Sequence, residues 1–222
     1  MSGCQPRWAF IKANTRLLAP PLVPELRLHL AEESLPIWQK TEEELGEVNV
    51  PPPYWAFAWA GGQALARYLL DNRPVVAGKS VLDLGSGSGL AAIAARRAGA
   101  LQVLAADIDP WAIAAVELNA AANDLAVATT PADLLAAPPP AVDVVLVGDL
   151  FYERALADSV LAFIERAAAR SMQVLIGDPQ RSYFPRGLFE KLADYAVPVT
   201  RELEDTEIKR TAVWQPAGTH AA

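Results

Sequence analysis

KSVLDLGSGSGL, residues 79–90, runs an apolar strand pattern directly into glycines at positions 85, 87 and 89. Glycines at such a turn permit positive φ and let a ligand approach the backbone with no Cβ in the way. The next residues, LAAIAARRAGA (90–100), form an Ala-rich helical stretch with Gly99 as its C-terminal stop. Strand, glycine loop and helix in that order are the opening unit of a parallel α/β sheet.

The same alternation extends outward. LQVLAADID (101–109) reads as a second strand, and Pro110 stands at the first position of the helix that follows. A short strand near 126–129, a DLLAAPPP loop (133–140) and a strand at 142–148 come next. The spacing predicts a helix over 154–170, a strand over 172–178 and a helix over 188–196, LFEKLADYA. VPVTRELED and IKRTAVWQP then read as a closing pair of strands. Upstream, GGQALARYLLDN (61–72) is helical, with Leu65, Tyr68 and Leu69 at i, i+3, i+4. In YWAFAW (54–59), Trp55, Phe57 and Trp59 alternate, as in an extended segment with one apolar face.

These elements predict an α/β fold with a mostly parallel sheet and helices on both faces. The texture changes at VNVPPPYWAF (48–57), which sets expected boundaries at 1–50, an N-terminal extension packing on the core, and 51–222, the α/β domain. Within the extension an amphipathic helix is expected from about Trp8 to Leu18. ELRLHL (25–30) fits either a strand or a packed helix edge. The first 24 residues lack acidic side chains and carry Arg7, Lys12 and Arg16, a composition that organellar transit segments share.

Composition narrows the chemistry. A single cysteine, Cys4, allows no intramolecular disulfide, and two histidines, at 29 and 220, leave almost no ligands for a His/Cys metal site. We expect no metal. The formal net charge of −7 argues against a broad phosphate-binding surface, so no nucleic-acid partner is expected. No apolar run reaches the roughly 18 residues of a membrane span.

The glycine spacing separates two cofactor classes. A dinucleotide loop, G-x-G-x-x-G/A, would want a small third residue at position 90, which is Leu90. The pattern here is D-x-G-x-G-x-G, and it resembles motif I of class I S-adenosylmethionine-dependent methyltransferases, with Asp83 as the acidic residue. The resemblance implies a Rossmann-like sandwich, with S-adenosylmethionine as cofactor and Gly85 and Gly87 cradling its methionine half. Asp107, about 20 residues beyond the loop, is placed to bind a ribose diol of either nucleoside cofactor. Ile108 would then flank the adenine, and Asp133 resembles the residue that takes the adenine amino group.

A closer resemblance covers about residues 53–216. PYWAFAWAGGQALARYLLDN, GKSVLDLGSGSG, AADIDP, GDLFY, IGDP and TAVWQ are together similar to the lysine methyltransferases of the electron transfer flavoprotein β subunit. That family is seven-stranded. The Asp-x-x-Tyr signature shared by its seven-strand relatives is matched by Asp149 and Tyr152, which implies that these two are catalytic. The resemblance puts Trp59 and Gly61 beside the cofactor. Ala60 and Gln180 depart from the pattern of some relatives, away from the motif residues.

The expected activity is therefore lysine N-methylation of that flavoprotein subunit, with a ribosomal stalk protein as a second candidate substrate. A small-molecule, nicotinamide-like amine is the alternative acceptor. A non-catalytic partner protein and a nicotinamide oxidoreductase are further rivals, opposed by the intact motif residues and by Leu90. Phe151 is expected to pack, Asp178 to cap a turn, and Asn119 and Asn123 to sit at the helix surface or end. We expect a monomer without membrane attachment, cytoplasmic in a bacterium or in the mitochondrial matrix of a eukaryote.

Overall fold

A computed structural model describes residues 4–32, 36–37, 52–199 and 206–218. Part of the expected VPVTRELED strand lies outside them. Seven strands form one sheet: β3 (Ser80–Leu84), β4 (Gln102–Ala106), β5 (Ala128–Thr130), β6 (Val144–Gly148), β7 (Gln173–Asp178), β8 (Phe189–Pro198) and β9 (Ile208–Pro216). Their order is β5-β4-β3-β6-β7-β9-β8. The pairs β3/β4, β4/β5, β3/β6 and β6/β7 are parallel, while β9 runs antiparallel to both β7 and β8.

Strand alternation divides the core into two layers. Val81, Val103, Val144, Leu146 and Leu175 face α2 (Ala60–Asp71) and α3 (Leu90–Arg97). Leu82, Leu84, Val145, Val147 and Ile176 face α5 (Arg154–Ala168), which contributes Val160, Phe163 and Ile164. Both sheet faces are thereby covered, as buried parallel strands require. Asp109 starts α4 (Pro110–Ala122) by accepting the Trp111 N–H at 2.8 Å, and Pro110 sits at the first helical position as expected.

The expected helix at 188–196 is instead strand β8. Phe189, Leu192, Ala193, Ala196 and Val197 do fall at helical spacing. The cause is a β-bulge between Lys191 and Ala193. The extra residue moves the apolar side chains from one face of the strand to the other: Phe189 packs with the α5 layer, Ala193, Tyr195 and Val197 with the α2 layer. A period of two with one inserted residue imitates a period of 3.6.

Near the N-terminus, the helix is α1 (Cys4–Asn14) and stops short of Leu18. Asn14 and Thr15 turn their side chains back onto the Phe10 and Ile11 carbonyls. Arg16–Leu18 then form β1, paired antiparallel with β2 (Leu28–Leu30), so ELRLHL ends as a strand. Ile11 packs with Trp55 and Trp111, and Leu28 and Leu30 pack with Ile93 and Ala120. YWAFAW is not uniformly extended, since Tyr54–Ala56 form a 3-10 turn that buries Trp55.

Asn119 is buried within α4, contrary to a helix-surface or helix-end position, while Asn123 caps the end of α4 and is buried there. The Asn119 carbonyl accepts the His29 N–H at 2.7 Å, and its amide donates to the Ser88 carbonyl at 2.8 Å. Asn123, at the end of α4, accepts from the Arg27 N–H at 3.0 Å and donates to the Arg27 carbonyl at 2.6 Å. The α4 helix thus ties the β1–β2 hairpin to the glycine loop.

Candidate active site

Strand order reverses between β3 and β6, and the connections leave that point toward opposite sides of the sheet. A crevice opens there at the C-terminal strand ends, where α/β proteins bind ligands. A cavity of about 780 Å³ occupies it.

One half of the cavity is built from the ends of β3 and β4. Gly85, Gly87 and Gly89 have φ of +64°, +50° and +79°. A Cβ on Gly85 would stand 2.7 Å from a Leu150 methyl carbon. The loop is held by its neighbours, with the Gly85 N–H donating to the Ala106 carbonyl at 2.9 Å. Asp107 Oδ2 accepts the Gly87 N–H at 2.8 Å, and Oδ1 accepts the Asp109 N–H at 3.0 Å. Burial raises the Asp107 pKa against those two hydrogen bonds. Each oxygen keeps acceptor capacity for a hydroxyl. Ile108 is 70 % exposed on the rim, and Asp133, whose Oδ1 accepts the Leu135 N–H, lines the far side.

Asp83 takes a different place. It is buried inside β3 and does not line the cavity; its carboxylate accepts the Ala92 N–H at 3.0 Å, in the first turn of α3. Burial pushes its carboxyl up to about 7, opposed by the Ala92 hydrogen bond and reinforced by the Asp107 charge.

The other half is built around Asp149. This residue leaves β6 at φ +58°, a left-handed conformation that Asp tolerates better than bulkier side chains. Its N–H donates to the Gly177 carbonyl at 3.0 Å. Oδ2 accepts the Gly62 N–H at 3.0 Å, so Asp149 satisfies an orphan donor at the start of α2, where Trp59 offers no side-chain cap. Oδ1 accepts from Arg181 Nη2 at 2.7 Å and Nε at 3.0 Å.

Gly61 makes this contact possible without lining the cavity itself. A Cβ there would come within 2.1 Å of the Gly177 carbonyl oxygen and 2.5 Å of Asp149 Oδ2. Trp59 and Tyr152 do line the cavity, and Tyr54 lies between them, its ring 5.9 Å from Trp59 and 5.5 Å from Tyr152. Burial first, then the neighbouring Tyr54, pushes the Tyr152 phenol up to about 12. Phe151 is fully buried against Phe184 and Phe189 and belongs to the core.

Sequence reasoning passed over Arg181 and Tyr54. Arg181 lies in GDPQR (177–181), where Asp178 and Gln180 drew notice and Arg181 did not. Asp178 Oδ1 accepts the Arg181 N–H at 2.7 Å, as a turn cap should. It is fully buried, its other oxygen has no hydrogen-bond partner among the described residues, and burial followed by the Asp149 charge pushes its carboxyl up to about 7. The pairing of Arg181 with Asp149 carries no local sequence signal, because 32 residues separate the two.

The residues fit the expected cofactor. Backbone glycines are close to one end, a carboxylate stands at the end of the next strand, and an exposed aliphatic side chain lies where a flat base could rest.

Comparisons with known proteins agree. A family model, ribosomal protein L11 methyltransferase (PrmA), matches residues 63–172. The solved structure of Thermoplasma acidophilum 1320 superposes with a TM-score of 0.52 at 22% identity, covering 71% of this chain and 91% of that one. Magnesium protoporphyrin IX methyltransferase from Synechocystis PCC 6803, solved with bound S-adenosylmethionine, gives a TM-score of 0.51 at 16% identity over 70% and 78%. These two show the fold. The electron transfer flavoprotein beta subunit lysine methyltransferase of Danio rerio is 40% identical over 93% of this chain and 81% of its own length. The Homo sapiens protein of that name is 38% identical over 93% and 80%. With its methyltransferase fold and a similarity that spans nearly its whole length, the chain belongs to the electron transfer flavoprotein beta subunit lysine methyltransferase family.

Proposed function

We propose that this protein methylates lysine in the electron transfer flavoprotein β subunit, using S-adenosylmethionine. One observation carries the reading from the molecule itself: a single cavity joins the glycine loop and Asp107 to the carboxylate of Asp149. A cofactor held at the first end would direct its reactive centre toward the second.

Gly85 and Gly87 would take the methionine half, Asp107 the ribose, and Ile108 and Asp133 the base. When bound, S-adenosylmethionine supplies a methyl group on a sulfonium, which an amine nitrogen displaces as the C–S bond breaks and the N–C bond forms. The protein's task is to present that nitrogen uncharged and in line. An ordinary lysine pKa near 10.4 makes deprotonation at pH 7 cost roughly 4–5 kcal/mol. Asp149 does not lower that pKa, since a carboxylate favours the charged amine. Its role is to hold the nitrogen in line and to stabilise the positive charge that builds on it, with the proton leaving to solvent. Gly62 fixes the orientation of the carboxylate, and Tyr152 with Tyr54 and Trp59 walls the approach. The curated relatives that align over most of the chain are named as protein-lysine methyltransferases, which favours a protein acceptor over a nicotinamide-like amine.

Incubation with methyl-labelled S-adenosylmethionine and host lysate tests this reading. Label is expected in a flavoprotein subunit; label confined to small molecules would sink the protein-acceptor assignment.

A further inference from the structure

Arg181 stands where this function needs its substrate. The guanidinium lies 5.7 Å from the Trp59 ring centre and donates two hydrogen bonds to Asp149 Oδ1, at 2.7 and 3.0 Å. Its backbone is anchored by Asp178, and Gln180, the residue before it, is at φ +63°. The pair is largely buried, with 17% of the Arg181 side chain and 10% of the Asp149 side chain exposed. Both residues line the cavity that would hold the cofactor. A cation on a long apolar stem, seated on a carboxylate and over an aromatic face, is the same recognition chemistry that a substrate lysine would use.

We propose that Arg181 is a specificity-determining residue: an internal cation that occupies the acceptor position and is exchanged for the substrate's lysine. The inference rests on the proposed lysine-methyltransferase reading and deepens it. Acceptor binding becomes the replacement of one ion pair by another. A protonated side chain restores the charge pairing of Asp149 when it displaces the guanidinium. A neutral acceptor brings no positive charge to replace the guanidinium at the buried carboxylate, which is costly, so it is disfavoured. Lysine gives up its proton only after entry, beside the sulfonium.

The test uses the full-length protein and two variants, with thermal melting to establish that both fold. In Arg181→Ala, KM for the protein acceptor falls about tenfold with kcat within threefold of the parent. Millimolar guanidinium chloride then inhibits competitively against the acceptor. In Arg181→Lys, the substituted side chain places an amine at Asp149, and S-adenosylmethionine methylates it in cis. The nitrogen gains the methyl, the cofactor leaves as the thioether, and the proton passes to solvent. Peptide mass spectrometry reads that methyl at position 181.

If guanidinium restores a lost kcat in Arg181→Ala, and position 181 stays unmethylated in Arg181→Lys, Arg181 merely orients Asp149 and the proposal falls. Methylation at position 181 without label on the flavoprotein subunit overturns only the choice of substrate.

Discussion

The carboxylate of Asp149 accepts the backbone N–H of Gly62 at 3.0 Å, joining the end of β6 to the first turn of α2. The contact needs the α2 backbone to lie almost on β7. Gly61 allows it, since a Cβ there would meet the Gly177 carbonyl oxygen at 2.1 Å. Gly61→Ala should therefore destabilise the fold by about 2–4 kcal/mol, as forced overpacking against backbone does. Gly62→Ala meets nothing within 4 Å and should be neutral or gain up to about 1 kcal/mol of helix propensity. Urea unfolding of the two variants checks the contrast; equal losses would mean the close approach is misplaced.

The two ends of the cavity should separate in kinetics. Asp149→Asn keeps an acceptor for Gly62 but loses the charge, and should lower turnover at least about 100-fold with cofactor Kd within a few-fold. Asp107→Ala should weaken cofactor binding at least about tenfold, through the lost hydroxyl contacts and the released Gly87 N–H. Calorimetric titration with the cofactor, beside single-turnover assays, tells the two apart. A matching loss of affinity in Asp149→Asn would place that residue in the cofactor half.

Asn119 couples the N-terminal hairpin to the glycine loop through His29 N–H and the Ser88 carbonyl. Removing a fully buried amide leaves both backbone groups unpaired. Asn119→Ala should cost about 2–4 kcal/mol and also weaken cofactor binding, because the loop loses its tether. A stability loss with cofactor affinity intact would show that the loop holds its shape without it.

Burial raises the Asp83 carboxyl from 3.8 to about 7, with the Ala92 hydrogen bond opposing and Asp107 reinforcing. The folded state therefore holds a proton that the unfolded state has already released between those values. That contribution to stability is complete below about pH 4 and disappears as pH rises through about 7. Asp83→Asn is immune to this loss, so its stability relative to the parent should improve from pH 5 to pH 8. Asp178, also raised to about 7 by burial, is common to both proteins and cancels in the comparison. Urea unfolding at the two pH values reads the change; a constant difference would mean Asp83 titrates normally.

The sequence displays what is local and hides what is folded together. The strand–glycine–helix run at 79–97, the Pro110 helix start and the carboxylates at the strand ends were legible because each has a fixed short-range spacing. Strand β8 was not, because one bulged residue turned its period of two into apparent helical spacing. The burial of Asn119 and the pairing of Arg181 with Asp149 depend on partners dozens of residues away. Periodicity carries no trace of either.

Asp149 directs methyl transfer to lysine in the function proposed above. Intact-mass and peptide mass spectrometry of purified electron transfer flavoprotein β subunit, after incubation with this protein and S-adenosylmethionine, test it most directly. Whole methyl increments are expected on lysine with the parent protein, accumulating at least about 100-fold more slowly with Asp149→Asn. Methylation of another residue type, or undiminished lysine methylation by Asp149→Asn, would contradict it.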